Sequence, residues 1–140
     1  MNKQERTELL DKLYQKYNSP DFVEHNPISI PHRFEGREAR EISGFLTATI
    51  AWGNRKAIVK SASRMMDYMD GQPYDFTVNA SQSELAKPGS YVHRTFNGRD
   101  FTHFVLALRK FSADYGGLGA VFEDGWGRAQ GTRQVLSGFA

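Results

Sequence analysis

Residues 45–59 read FLTATIAWGNRKAIV, two apolar segments separated by the polar junction Trp52-Gly53-Asn54-Arg55. Before the junction, apolar and small residues recur at helical spacing, which predicts a buried helix over about residues 38–52. Glycine favours the left-handed conformation that ends helices, and asparagine is a preferred N-cap residue. The stretch therefore predicts two consecutive α-helices that meet at Gly53.

The first of these helices has large side chains on one face and small side chains on the other. A helix of this kind packs against neighbours on both faces, with one neighbour approaching closely, and we expect it to be the central helix of the fold. The large residues are Ile42, Phe45, Leu46, Thr49 and Ile50, and the small ones are Gly44, Thr47, Ala48 and Ala51.

The second helix is predicted over about residues 55–70, with an apolar and a basic face. Lys56, Lys60 and Arg64 are spaced by four residues, so their side chains share one outward face. No acidic residue occurs between Ile42 and Met66. The residues predicted to point inward are Ile58, Ala62, Met65, Met66 and Met69.

The flanking segments also favour helices. Residues 3–17 carry an apolar stripe at helical spacing, and Ser19 with Pro20 predicts the start of a short helix. The two prolines of residues 26–34 indicate an ordered loop, because each biases the preceding residue toward extended geometry. The stripe of residues 3–17 consists of Leu9, Leu10, Leu13, Tyr14 and Tyr17.

Downstream, Pro73 starts a short helical turn, and Ser81 with Glu84 fits a capping box. A longer helix follows, with Asp100 as its expected cap. The glycine-rich residues 115–127 are interpreted as a connector. The longer helix is indicated by Phe101, Phe104, Val105, Leu108 and Phe111. We predict an all-α, single compact multi-helix domain over residues 1–140, with five to seven helices.

Composition excludes several classes of protein. The 140 residues include no Cys, which excludes disulfides, thiolate metal sites and thiol nucleophiles. No apolar run approaches the roughly 20 residues of a membrane span. The charged N-terminus lacks the apolar core of a signal peptide, so we expect a cytoplasmic protein without membrane association. The net charge of +2 is too small to indicate an anionic partner by itself.

Titratable side chains provide no catalytic or metal constellation. The four histidines lack the i, i+4 pairing that places two imidazoles on one helical face, so we predict no metal and no cofactor. Glu35, Glu38 and Glu41 recur at a spacing of three, but Arg37 and Arg40 between them favour ion pairs over acid–base chemistry. The histidines are His25, His32, His93 and His103.

Gly117-Leu118-Gly119 follows a predicted helix, and DNA-binding helix-hairpin-helix motifs use such a Gly-hydrophobic-Gly turn to contact phosphate. Gly125 and Gly127 interrupt any partner helix after about one turn, which favours the connector interpretation.

The strongest binding hypothesis lies at the helix junction. The N-terminus of a helix attracts anions, and basic side chains extend the positive face. Trp52 offers a stacking plane. We predict nucleic-acid binding through Asn54, Arg55, Lys56, Lys60 and Arg64. The competing interpretation is a buried Trp52, two capping residues and an ordinary solvated helix face.

Two alternatives from other classes stay open. One is a small enzyme or ligand-binding domain whose pocket is lined by His32, Trp52, Tyr91 and His93, where two loops meet the central helix. The other is a structural module or homo-oligomer that associates through the apolar C-terminal segment Val135, Leu136 and Phe139. This segment resembles the first half of a helix, so we expect the domain to be incomplete at its C-terminal end.

Three segments resemble the N-terminal part of a family of longer bacterial proteins of unknown function, common in Bacteroidetes. They are YNSPDFVEHNPISIPHRF (17–34), EISGFLTATIAWGNRKAI (41–58) and YVHRTFNGRDF (91–101). The chain departs from the family at Asn26 and Ala39, where members carry Asp.

The longer proteins are distantly similar to helix-hairpin-helix DNA glycosylases. That similarity implies the N-terminal half of a glycosylase-like helical fold, in which Asn54 and Arg55 face the duplex. The catalytic Lys or Asp of glycosylases belongs to a later segment. The resemblance thus implies DNA binding with no catalytic residue in this chain and no activity of the chain alone.

Overall fold

The computed structural model describes residues 1–128, which fold mainly into α-helices and confirm the all-α prediction. The described part of the chain contains α1 Lys3–Tyr17, α2 Pro20–Glu24, α3 Arg37–Thr49, α4 Arg55–Tyr68, α5 Pro73–Asn79, α6 Gln82–Ala86, α7 Gly98–Tyr115 and α8 Leu118–Arg128. Strands β1 Val92–His93 and β2 Phe96–Asn97 form a small antiparallel hairpin. Short 3-10 helices span Pro27–Ser29, Pro31–Arg33 and Lys87–Ser90.

Helices α3, α4, α5 and α7 enclose one hydrophobic core. Burial of a large apolar side chain stabilises the fold by roughly 1.5–3 kcal/mol each, so this cluster provides the main driving force for folding. Its members include Ile30, Leu46, Ile50, Met65, Met66, Met69, Phe76, Tyr91, Phe101, Val105 and Leu108.

Helix α3 is central, but its small face is only partly buried, contrary to the prediction. Ile42, Leu46 and Ile50 are buried as expected. On the small face, a Cβ added to Gly44 would lie 3.7 Å from Pro31 Cβ, an ordinary van der Waals distance, so Pro31 covers this position without an unusually close approach. Ala48 and Ala51 are exposed. The helix therefore lacks cover at the C-terminal end of its small face, and it ends at Thr49.

The proline-containing loop is more regular than expected. Pro27 and Pro31 each begin a 3-10 helix, because the first position of a helix needs no N–H donor. Ile30 lies between the two turns and is fully buried. Its burial holds the segment against the core, since the first of these turns packs on both α3 and α4.

The residues before α7 form the hairpin, and the predicted cap is wrong. Asn97, not Asp100, is the N-cap: its Oδ1 accepts hydrogen bonds from Arg99 N at 2.9 Å and Asp100 N at 3.1 Å. Asp100 Oδ2 accepts from Asn97 N at 3.0 Å, which completes a capping box. Helix α7 therefore begins at Gly98.

The prediction of a glycine-rich connector is also wrong, because residues 118–128 form α8. Gly116 and Gly117 have φ of 79° and 126° and make the tight turn between α7 and α8. Leu118 is buried, and α8 packs on α7 and α3. This packing compensates for the weak helix propensity of the later glycines.

Helix α1 forms where predicted, but none of its residues is buried. Its apolar stripe, including Leu10 and Tyr14, faces solvent. Across residues 1–128 we find no helix with the length and apolar character needed to cross a bilayer.

Candidate nucleic-acid interface

The junction between α3 and α4 has the predicted geometry. Gly53 has a φ of 103°, which few side chains tolerate. Asn54 is the N-cap of α4, and its Oδ1 accepts a hydrogen bond from Ala57 N at 3.2 Å. Helix α4 begins at Arg55 because this cap satisfies one of its free backbone donors.

Helix α4 separates its apolar and basic residues as expected. The predicted inward residues Ile58, Ala62, Met65, Met66 and Met69 are all buried. Lys56, Lys60 and Arg64 are exposed. We refer to Arg55, Lys56, Lys60 and Arg64 as the basic face of α4.

The positive charges of the basic face lack carboxylate partners within the described residues. The ion pairs Arg37–Glu41 and Arg37–Glu123 do not involve this face. The Arg64 guanidinium instead lies 5.5 Å from the ring centroid of Tyr91. Burial raises the pKa of Tyr91 to about 12, opposed by its hydrogen bond to Ser61 and by the charge of Arg64. The basic face can therefore accept an anion without first breaking a salt bridge.

Two arginines outside α4 enlarge this surface, and sequence reasoning missed both. Arg33 Nη2 donates to Ser63 Oγ of α4 at 3.0 Å. Arg94, in the hairpin turn, lies over Trp52, with its Cζ 4.8 Å from the ring centroid. Helical spacing could not reveal them because they come from different elements. The sequence offered one signal for these arginines: each follows a histidine in a loop, as His32-Arg33 and His93-Arg94.

Trp52 and His93 are neighbours at the start of the basic face. Their ring centroids are 6.1 Å apart with an interplanar angle of 83°. Trp52 is 41% exposed, so the interpretation of a buried Trp52 is wrong. His93 is only 6% exposed, and its Nδ1 lies 2.7 Å from Ser61 Oγ. Its Nε2 is buried and has no hydrogen-bond partner among the described residues.

The residues of the alternative pocket are only partly brought together. Tyr91 belongs to the core, is 0% exposed, and donates its hydroxyl hydrogen bond to Ser61 O at 3.0 Å. His32 is exposed on the 3-10 helix Pro31–Arg33. A cavity of about 430 Å³ lies between α6 and α7, beside His103 and Arg109, and none of the four pocket residues lines it.

Of Glu35, Glu38 and Glu41, which were predicted to form ion pairs with Arg37 and Arg40, Glu41 alone does so within the described residues. Glu41 Oε1 lies 2.8 Å from Arg37 Nε, and Arg37 Nη2 lies 2.5 Å from Glu123 Oε1. These hydrogen bonds, first to Glu123 and then to Glu41, raise the pKa of Arg37 above its ordinary value. Glu41 Oε2 also accepts a hydrogen bond from Gly119 N at 3.1 Å. The turn at Gly117-Leu118-Gly119 therefore holds a carboxylate of the same chain where a helix-hairpin-helix motif would hold phosphate.

No three His, Asp or Glu side chains within residues 1–128 lie close enough together to hold a metal ion. The C-terminal residues Val135, Leu136 and Phe139, predicted to mediate association, lie outside the described residues.

The fold and this surface define an all-α domain with an unpaired basic helix face beside an exposed tryptophan. The chain belongs to the family described as protein of unknown function (DUF2400), whose match covers residues 26–140. Helices α1 and α2 precede the matched region. Searches of curated proteins and of solved structures found no match.

Proposed function

We propose that this chain binds nucleic acid through the basic face of α4. The observation that carries the proposal is the exposure of Lys56, Lys60 and Arg64 on one face, with no carboxylate of residues 1–128 within salt-bridge distance. At about 1.5 Å of rise per residue, adjacent charges are separated by roughly 6 Å along the helix. This spacing is below the Debye length of about 8 Å at physiological salt, so the charges act together on a polyanion.

The position of the charges supports a binding role over a stabilising one. Arg55 and Lys56 lie in the first turn of α4, which contains no acidic residue. A positive charge there opposes the helix dipole and costs about 0.3–1 kcal/mol. Helices α1 and α7, by contrast, have an acidic residue in the first turn. An arrangement that costs stability is typical of a functional surface.

The similarity to DNA glycosylases, the bacterial origin and the cytoplasmic location are part of the same proposal. In that framework Asn54 and Arg55 face the nucleic acid, and the chain acts as a binding domain without a catalytic residue of its own. The Asn54 side chain already caps α4, so its contribution to binding is positional.

The proposal is tested by measuring the affinity of fluorescently labelled single-stranded and duplex DNA. We expect micromolar or weaker binding at physiological salt. Replacing Lys56, Lys60 and Arg64 with Glu should abolish it. The matched control replaces Lys3, Arg6 and Lys12 of the exposed α1 with Glu. Both variants change the formal net charge from +2 to −4, since each of three substitutions removes one positive charge and adds one negative charge. Equal losses in both variants, or no binding by the wild type, would refute the proposal.

Stability measurements separate loss of binding from loss of folding. The single variant Lys56→Glu places an acidic residue in the first turn of α4, so we expect its free energy of unfolding to rise by about 0.3–1 kcal/mol. A variant that is more stable and binds more weakly would show that Lys56 serves binding. Thermal denaturation of the two proteins provides the comparison.

A small-ligand site at Trp52 and His93 is the second candidate. The exposed ring of Trp52 favours it, because this ring stands against His93 with ring centroids 6.1 Å apart and offers a ligand an aromatic surface. Association through Val135, Leu136 and Phe139 stays a prediction and is checked by the molar mass in solution.

A further inference from the structure

We infer that Trp52 and Arg94 form a stacking site for one unpaired base, so that the surface binds single-stranded nucleic acid in preference to a duplex. The inference rests on the proposed function and specifies its substrate. The shared chemistry is an unpaired nucleotide whose neighbouring phosphates contact the basic face of α4, and this chemistry is available in single-stranded DNA and RNA.

The first argument is the exposure of Trp52. The side chain is 41% exposed although its neighbours are close. Arg94 lies over the ring at 4.8 Å, and the ring of His93 stands nearly perpendicular to it. Tryptophan and arginine both present flat surfaces on which bases stack, and such contacts recur in proteins that bind single strands.

The second argument is that the backbone is arranged to bring Arg94 to Trp52. Arg94 has a φ of 54°, an uncommon conformation for a residue with a side chain. Gly53 allows the approach: a Cβ at this position would lie 2.8 Å from Arg94 Cζ and closer still to Nη2. The pair is therefore held in place before any ligand binds, which lowers the entropic cost of binding.

The third argument is that the ring beside Trp52 is itself fixed. Ser61 Oγ lies 2.7 Å from His93 Nδ1, and His93 is only 6% exposed. A buried, hydrogen-bonded His93 therefore supports the protein side of the tryptophan ring.

The position of the pair relative to α4 explains the preference for single strands. Trp52 directly precedes Gly53-Asn54-Arg55, so a stacked base lies at the start of the basic face and its backbone can continue along Lys56 and Lys60. In a duplex the bases are stacked on each other and are not free to meet a protein ring.

Tryptophan fluorescence tests the inference directly. The chain contains two tryptophans, so Trp126→Phe leaves Trp52 as the sole reporter. A short oligothymidylate, a short oligouridylate and a blunt duplex of the same length are titrated at low salt. We expect saturable quenching of Trp52 by either or both single strands, at an affinity about 10-fold above that for the duplex. The two single-strand titrations also show whether DNA or RNA is preferred.

Matched variants separate stacking from charge and from folding. Trp52→Ala should lower single-strand affinity about 10-fold, while Trp52→Phe should retain most of it because phenylalanine also stacks. Arg94→Lys keeps the charge but loses the planar guanidinium, so single-strand affinity should fall while duplex affinity stays unchanged. In Trp52→Phe the remaining Trp126 should show no quenching.

The outcomes distinguish the two proposals. If Lys56, Lys60 and Arg64 are needed for binding but Trp52 is not quenched and Trp52→Ala binds both forms like the wild type, the stacking inference is wrong and the proposed function stands. Absence of binding to every oligonucleotide would overturn both.

Discussion

Among the glycines that the structure describes, Gly98 leaves the least room for an added side chain. A Cβ there would lie 2.6 Å from the carbonyl carbon of Pro88 and closer still to its oxygen. Gly98 N also donates to Tyr91 O at 2.9 Å, so the first turn of α7 cannot move away without losing this contact. The close approach fixes the start of α7 against the segment that leads into the hairpin and Arg94.

We expect Gly98→Ala to lower the free energy of unfolding by about 1–3 kcal/mol, because the methyl group meets backbone atoms that cannot rotate away. Gly89→Ala is the matched control, since nothing lies within 4 Å of its added Cβ. Chemical denaturation of both variants provides the measurement. Equal stability of the two variants would contradict the close approach.

Tyr91 gives the fold a dependence on alkaline pH. Burial raises its pKa from 10.0 to about 12. Because the folded-state pKa is above the unfolded one, the stabilisation is fully present below pH 10 and is lost as the pH rises through 12. Tyr91→Phe should remove this loss and, at neutral pH, cost roughly 0.5–1.5 kcal/mol for the hydrogen bond to Ser61.

The pH dependence is checked by unfolding the wild type and Tyr91→Phe at neutral pH and between pH 10 and 12. Tyr74→Phe serves as the control because Tyr74 is exposed. If the stability difference between the wild type and Tyr91→Phe did not narrow at alkaline pH, the assigned effect of burial would be wrong.

At the scale of elements, local patterns predicted most helices and failed where tertiary packing decides. Gly53, Asn54 and the apolar spacing were sufficient to place α4, since capping and periodicity are local properties. The glycines of α8 gave the opposite signal, and only contact with α3 and α7 makes that segment helical. Intrinsic helix propensity is a weak guide when one face of the segment can be buried against neighbouring helices.

The same limit applied to the candidate site: residues that share one helix could be predicted, and residues from separate loops could not. Lys56, Lys60 and Arg64 could be grouped because they share one helix, and the structure places them together. Arg33 and Arg94 join them only through the folding of two separate loops, which no periodicity encodes. The link between Trp52 and His93 was anticipated as a meeting of loops, without its geometry.

Helix α1 is expected to contribute little to stability. It buries none of its residues, and isolated helices of about 15 residues are marginal in water. Deleting residues 1–18 keeps the Ser19 cap of α2 and should change the free energy of unfolding by less than about 0.5 kcal/mol.

The comparison variant is Leu108→Ala, which truncates a buried side chain of α7. It should lower the free energy of unfolding by about 2–5 kcal/mol. Thermal and chemical denaturation measure both changes. A large loss of stability on deletion would show that α1 packs on the domain in solution.

At the scale of the whole molecule, charge is distributed unevenly. Arg37 is neutralised by Glu41 and Glu123 between α3 and α8. Acidic residues Asp70, Asp75 and Glu84 line a polar cavity of about 250 Å³ beside α5. The basic face of α4 differs because no acidic residue occurs from Arg55 to Met66, whereas the basic residues of α1 alternate with acidic ones. A polyanion would thus contact one helix face rather than the molecule at large, despite the small net charge of +2.

The salt dependence of single-stranded DNA binding tests this claim most directly. Each phosphate contact contributes roughly 0.7 to the slope of log affinity against log salt concentration. The variant with Lys56, Lys60 and Arg64 changed to Gln should therefore show a slope shallower than that of the wild type by about 2. The α1 variant with Lys3, Arg6 and Lys12 changed to Gln should keep the wild-type slope. Identical slopes in the wild type and the α4 variant would contradict binding through this face.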